Sequence, residues 1–172
     1  QPLQVRFTGL EEADDRVAYI YETMLAAQKL LEGRDIDLDG DVVPEMATAR
    51  EGFRAAMLDD LNTCGAMGAI SDMLREANRL AASGKGVAKP VRWRSLARCL
   101  EDMKYVAQAI GVFGRDPQEY LQERRDLKAR RIRLDVPEVE RLLGERDAAR
   151  DGKDWARADE LRDALAHLGV KI

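Results

Sequence analysis

Apolar residues recur every three or four positions over most of the 172-residue chain. This period is typical of amphipathic helices, whereas half-buried strands would show strict alternation. Glycine, proline and N-capping residues interrupt the pattern and divide it into seven predicted helices. They cover roughly residues 10–31, 44–60, 63–80 and 91–113, a fifth helix that begins at Pro117, and two more over 137–151 and 155–168. Helices with such short connections predict an all-α protein built as an antiparallel bundle.

The last two helices are predicted to form a small unit of their own. Asp135 can cap the first of them, and Gly152 is the residue best suited to a left-handed position at its end. Asp154 can cap the second helix, so the turn between them has about three residues and the helices must lie antiparallel as an αα-hairpin. The pattern therefore predicts a helical bundle over residues 1–134 and a hairpin over 135–172.

Trp155 begins the last predicted helix and allows two interpretations. It continues an apolar stripe at helical spacing, formed by Trp155, Ala158, Leu161, Leu165 and Leu168. A buried aromatic at this place would clamp the hairpin. An exposed one would offer a flat surface on which an RNA base can stack.

Composition limits the classes of function. With 45% hydrophobic and 35% charged residues, the chain can bury one moderate core. No apolar run approaches the roughly 18 residues of a membrane helix, so we expect a cytoplasmic protein without a membrane partner. Cys64 and Cys99 do not form a CxxC pair, and His167 is the single histidine, which argues against a metal site and histidine-based catalysis.

The net charge of −4 hides two basic segments. Residues 77–100 contain no acidic residue and six cations: Arg79, Lys85, Lys89, Arg92, Arg94 and Arg98. Residues 123–133 carry six cations against Glu123 and Asp126. Local clusters of this kind can bind a phosphate backbone despite distant carboxylates. A solvated helix face with ion pairs is the alternative for both segments.

The acidic stretch Asp35–Val42 resembles the opening of an EF-hand calcium loop. Oxygen ligands stand at its first, third and fifth places, and Gly40 stands at the sixth. The twelfth place holds Met46 instead of the bidentate glutamate that the loop needs. A solvated acidic loop is therefore the favoured interpretation, with calcium binding as the alternative.

Three motifs resemble cysteinyl-tRNA synthetases and together span nearly the whole chain. Residues 53–63 are similar to the family's F-x-x-A-M-D-D-D-x-N-T-P, except that Leu58 replaces the first aspartate and Cys64 follows where proline is usual. Residues 146–163 read R-x-x-x-R-x-x-K-D-W-x-x-A-D-x-x-R-D and resemble the family's C-terminal hairpin. Residues 1–7 resemble its R-x-P-L-x-F segment.

The resemblance implies an anticodon-binding bundle of the class I synthetase (DALR) type, followed by a hairpin that contacts the anticodon of the tRNA for cysteine. Position by position, it implies that Trp155 stacks on a base while Arg150 and Asp159 contact base edges. Candidates for contacts to the RNA backbone are Arg124, Arg125, Lys128, Arg130, Arg131, Arg133 and Lys153.

Catalytic motifs of the family are missing from the chain. It contains neither a HIGH-like nor a KMSKS-like sequence and no cysteine–histidine cluster for zinc, so we predict no catalytic residue and no cofactor here. ATP and zinc are expected in a catalytic domain of the same polypeptide, and the chain is expected to be a segment cut at both ends. Two alternatives stay open: a helical protein-interaction module, and a relative of the superfamily that does not use tRNA.

Overall fold

The computed structural model describes residues 7–170, all of whose regular secondary structure is α-helical. Within this range the helices are α1 (Phe7–Leu31), α2 (Pro44–Leu58), α3 (Thr63–Ala82), α4 (Lys89–Ile110), α5 (Pro117–Arg131), α6 (Val136–Asp151) and α7 (Trp155–His167). The predicted all-α class is confirmed. Residues 1–6 and 171–172 lie outside this range. The resemblance at residues 1–7 therefore stays a prediction.

Contacts divide the chain into two compact units, residues 1–121 and 122–172, with the break inside α5. The sequence places the boundary at 134, beyond the end of that helix, and this domain division stays a prediction. Each unit has its own apolar core.

The core of the first unit is formed by α1 to α4. Its fully buried large side chains are Met46, Ile70, Met73, Leu74, Leu80, Leu96, Met103 and Val106. Small residues let α2 and α3 approach closely: a Cβ atom on Gly52 would lie 3.5 Å from Ala69 Cβ. The tyrosine rings of Tyr21 on α1 and Tyr120 on α5 stack with centroids 4.1 Å apart, which fixes the start of α5 against this core.

The α2–α3 turn lies in the resembling motif at residues 53–63. The sequence allows Asn62 or Thr63 to cap α3. Asn62 is the cap, because its side-chain oxygen accepts a 2.9 Å hydrogen bond from the Gly65 amide. Helix α2 ends at Leu58, two residues earlier than predicted, and both Asp60 and Leu61 then adopt positive φ angles of 50° and 56°.

The second unit contains the predicted hairpin of α6 and α7. Val139 and Leu142 of α6 pack against Leu161 and Leu165 of α7. The stripe predicted for α7 is correct at its centre and wrong at its ends, since Trp155 is 61% exposed and Leu168 39% exposed. A short helix buries only its central turns when one partner helix covers it.

Candidate nucleic-acid interface

The α6–α7 turn is a helix C-cap whose left-handed residue is Lys153. The Lys153 amide donates to the Arg150 carbonyl (3.0 Å) and the Asp154 amide donates to the Ala149 carbonyl (2.8 Å), which is the Schellman pattern. Our assignment of the left-handed position to Gly152 is wrong, because Gly152 has φ −77° and Lys153 has φ +59°. Helix α6 ends at Asp151 as predicted, but Gly152 keeps the right-handed helical conformation, so a lysine occupies the left-handed position that glycine usually fills.

Trp155 is the first residue of α7 and projects outside the hairpin core. Asp154 caps the helix by accepting a 3.1 Å hydrogen bond from the Arg157 amide. This cap fixes the backbone directly before the indole. Since 61% of Trp155 remains exposed, the clamp interpretation is wrong and the ring is accessible to a stacking base.

Arg150 and Asp159 flank Trp155 in the chain and differ in their partners. Arg150 is exposed in the last turn of α6, and its side chain has no ion pair among the described residues. Asp159 lies four residues after Trp155, on the same side of α7. Its Oδ1 atom forms an exposed ion pair with Arg162 at 2.9 Å. A carboxylate has two acceptor oxygens, so this pair does not prevent a contact between Asp159 and a base edge.

The cations of residues 123–133 surround the end of α5. On a helical wheel, Arg124, Lys128 and Arg131 fall within one stripe, because their spacing is four and three. Arg124 and Lys128 interact with other groups of the chain. The remaining four, Arg125, Arg130, Arg131 and Arg133, are exposed and have no side-chain ion pair or hydrogen bond with a described residue.

Arg133 repeats the conformation of Lys153 at the end of α5. Its φ is +52°, its amide donates to the Arg130 carbonyl (3.1 Å), and the Leu134 amide donates to the Ala129 carbonyl (2.9 Å). Two successive helices of this unit therefore end with a cation in the left-handed position. Sequence patterns did not reveal this feature, because capping rules favour glycine there.

The basic segment at residues 77–100 serves mainly the fold. Arg79 binds Glu76 through two hydrogen bonds, and this pairing raises the pKa of Arg79. Arg92 donates to the carbonyls of Leu80 and Ala81 near the end of α3. Its Cζ atom also lies 4.5 Å from the centroid of the Trp93 ring. These cations stabilise a helix C-terminus, where carbonyls lack partners.

Arg94 and Arg98 hold the acidic loop that resembles an EF-hand. Arg94 donates to the carbonyls of Asp37 (2.9 Å) and Asp41 (3.2 Å), and Arg98 donates to the Leu38 carbonyl (2.8 Å). In the EF-hand pattern Asp41 would offer its carbonyl to calcium at the seventh place. A guanidinium uses that oxygen instead. The described residues contain no group of three or more His, Cys, Asp or Glu side chains arranged to hold a metal ion.

A chain of ion pairs joins α6 and α7 on the outside of the hairpin. Glu145 pairs with Arg141 on its own helix and with Arg157 on α7, the latter at 3.3 Å. Hydrogen bonding to Glu160, with a smaller contribution from Glu145, raises the pKa of Arg157. Hydrogen bonding to Arg141 likewise lowers the pKa of Glu138. These arginines are therefore partnered, unlike Arg150.

Comparisons with known proteins match both units. The family model described as DALR domain matches residues 52–114, and the model described as cysteinyl-tRNA ligase anticodon binding domain matches residues 136–172. The second match contains the exposed tryptophan and its neighbouring cations. The two matches, on an all-helical fold, place the chain among the anticodon-binding regions of aminoacyl-tRNA ligases.

Curated relatives give the particular family. The chain is 35% identical to the cysteine–tRNA ligase of Maridesulfovibrio salexigens, 38% to that of Solidesulfovibrio magneticus and 33% to that of Geobacter metallireducens. Each alignment covers 99% of this chain and 36% of the relative. The chain carries the anticodon-binding domains of the cysteinyl-tRNA ligase family. It spans about a third of the length of these relatives.

No solved structure matches the chain. Among the described residues, none of the helices has the length and hydropathy that a bilayer crossing requires.

Proposed function

We propose that this chain recognises the anticodon of the tRNA for cysteine as part of an enzyme that attaches cysteine to that tRNA using ATP. The observation that carries the proposal is the exposed indole of Trp155, which follows directly after a capped turn and lies within the segment that matches an anticodon-binding domain. The described residues that support it are confined to the second unit.

Anticodon bases are unstacked, so a protein can read them by stacking on aromatic rings and by hydrogen bonds to their edges. Trp155 provides the ring. Arg150 provides donors that no described group occupies, and Asp159 provides an acceptor beside its ion pair with Arg162. The neighbouring cation Lys153 and the exposed cations at the end of α5 would bind phosphates, which positions the RNA without reading its sequence.

We place the chemistry of aminoacylation in the part of the relatives that this chain does not span. There, ATP and zinc would be bound by a catalytic domain of the same polypeptide, which we assign to the cytoplasm. This chain would contribute selection of the tRNA and no reacting group.

Fluorescence anisotropy with labelled tRNA tests the proposal. Trp155→Ala is expected to weaken binding of a tRNA with a GCA anticodon by roughly tenfold or more, because stacking of one base is worth about 1–3 kcal/mol. Changing one anticodon base should produce a loss as well. Trp93→Phe, at the packed tryptophan of the first unit, is the matched control and should bind as the unaltered chain does.

Equal binding of all these tRNAs by all these variants would refute anticodon recognition. It would favour a helical module whose cations pair with any polyanion, since charge pairing alone carries no sequence information.

A further inference from the structure

A small cavity of about 250 Å³ lies in the first unit, whereas the candidate RNA site belongs to the second. Its walls combine apolar and charged groups. The apolar side chains are Phe53, Met73, Tyr105 and Val106. The rings of Phe53 and Tyr105 meet edge to face with centroids 6.1 Å apart. Such a wall suits an aliphatic group of a few carbon atoms.

Asp102 of α4 lines this cavity, and one of its two carboxylate oxygens is buried without a hydrogen-bond donor. Its side chain is 8% exposed, and its Oδ2 atom has no hydrogen-bond partner among the described residues. Burying a carboxylate in this state is unfavourable unless a donor is supplied. A ligand could therefore supply the hydrogen-bond donor that the described part of the chain does not give to Asp102.

Arg50 is close to Asp102 without satisfying it. The Arg50 Nε atom lies 3.5 Å from Asp102 Oδ1, beyond the 2.7–2.9 Å range of a charge-assisted hydrogen bond. The Arg50 side chain is 53% exposed. Arg54 and Glu51, which also line the cavity, are exposed as well. The exposed charged groups of the cavity are therefore two arginines and one glutamate, while the carboxylate of Asp102 is buried.

We propose that this cavity binds a small α-amino acid with an apolar side chain. The ammonium group donates to the carboxylate of Asp102, and the carboxylate of the ligand accepts from Arg50. The aliphatic side chain packs against Phe53 and Tyr105. A simple amine would compete with Arg50 for Asp102 and leave that cation without a partner. Water would satisfy Asp102 but would hydrate the apolar wall poorly.

Isothermal titration calorimetry with L-leucine tests the proposal on the full 172-residue chain. Two analogues separate the charges: isopentylamine lacks the carboxylate of leucine, and 4-methylpentanoate lacks its ammonium group. Leucine is expected to bind, and each analogue is expected to bind about tenfold more weakly or worse, because one charge-assisted contact is lost.

Asp102→Asn should reduce leucine affinity by a similar factor. Glu22→Gln is the matched control: it removes an exposed carboxylate of α1 that does not line the cavity, and should leave affinity unchanged. Circular dichroism of each variant establishes that it is folded.

Three outcomes would overturn the proposal: no binding of leucine at millimolar concentrations, equal affinity of a folded Asp102→Asn variant, or isopentylamine binding as tightly as leucine. The last result would identify a site for cations alone. All these readouts are independent of tRNA binding, so they fail or succeed separately from the proposed function.

Discussion

Lys153→Gly is expected to stabilise the hairpin unit while weakening its binding to RNA. Lys153 has φ +59°, a conformation that costs a residue with a Cβ atom about 1–2 kcal/mol. Glycine removes this strain but gives back about 0.5–1 kcal/mol, because it makes the unfolded chain more flexible. The net expected gain in the free energy of unfolding is about 0.5–1 kcal/mol.

Urea unfolding followed by circular dichroism measures the stability, and the salt dependence of tRNA binding measures the loss of the cation. If Lys153 contacts one phosphate, the slope of log affinity against log salt should decrease by about 0.7–0.9. Lys153→Ala separates the two effects, since alanine removes the charge and keeps the strained backbone. It should lower the salt slope equally without the gain in stability.

Gly169 provides a control in the opposite direction. It has φ +82° at the end of α7, with the same two hydrogen bonds, from Gly169 to Ala166 and from Val170 to Leu165 (both 3.0 Å). A Cβ atom added there meets nothing within 4 Å. Gly169→Ala should therefore cost about 1 kcal/mol through the backbone alone. Loss of stability in Lys153→Gly, or an unchanged salt slope in both Lys153 variants, would refute the reasoning.

Two further predictions concern buried groups of the first unit. Burial, with a smaller effect of Asp102, raises the pKa of the Cys99 thiol to about 12. Iodoacetamide at pH 8 should therefore alkylate exposed Cys64 and leave Cys99 unmodified until urea is added, as measured by mass spectrometry. Equal labelling of both cysteines in the folded chain would contradict this prediction. Burial also raises the pKa of Asp102 above its ordinary value, against the lowering effects of Arg50 and Arg98. The folded chain then binds this proton more readily than the unfolded chain, so its stability relative to Asp102→Asn should rise as pH falls through that raised pKa. Urea unfolding of both proteins between pH 7 and pH 3.5 measures this difference, and a constant or falling difference would count against a buried, unsatisfied carboxylate.

Local sequence was sufficient for the elements of the fold. The period of apolar residues predicted all seven described helices. Capping chemistry correctly identified Asp135 and Asp154 as N-caps and left Asn62 or Thr63 for α3, where Asn62 is the cap. Each of the three capping side chains accepts a bond from an amide three residues later, so the interaction is contained in a short stretch of sequence.

Helix ends were harder, because competing positions differ by one or two residues. Gly152 appeared suited to the left-handed position, but one more helical residue lets the Asp154 amide reach the Ala149 carbonyl. The added hydrogen bond offsets the strain at Lys153. Helix α4 ends at Ile110, earlier than the predicted Phe113, and there a glycine, Gly111 with φ +72°, does take the left-handed position. Such balances depend on hydrogen bonds that residue preferences do not reveal.

The charge of a basic segment did not indicate whether its cations bind groups of the chain or remain exposed to RNA. Residues 77–100 hold six cations and no acid, and residues 123–133 hold six cations and two acids. Charge counting therefore ranks the first segment higher as an RNA site. Three of its four arginines, Arg92, Arg94 and Arg98, nevertheless bind backbone carbonyls, such as the Asp37 carbonyl that Arg94 reaches across 57 positions of sequence. Carbonyl acceptors carry no formal charge, so a sum of charges does not include them. The segment with the smaller local charge is the one that keeps four arginines exposed without a described partner, and it shares its unit with Trp155.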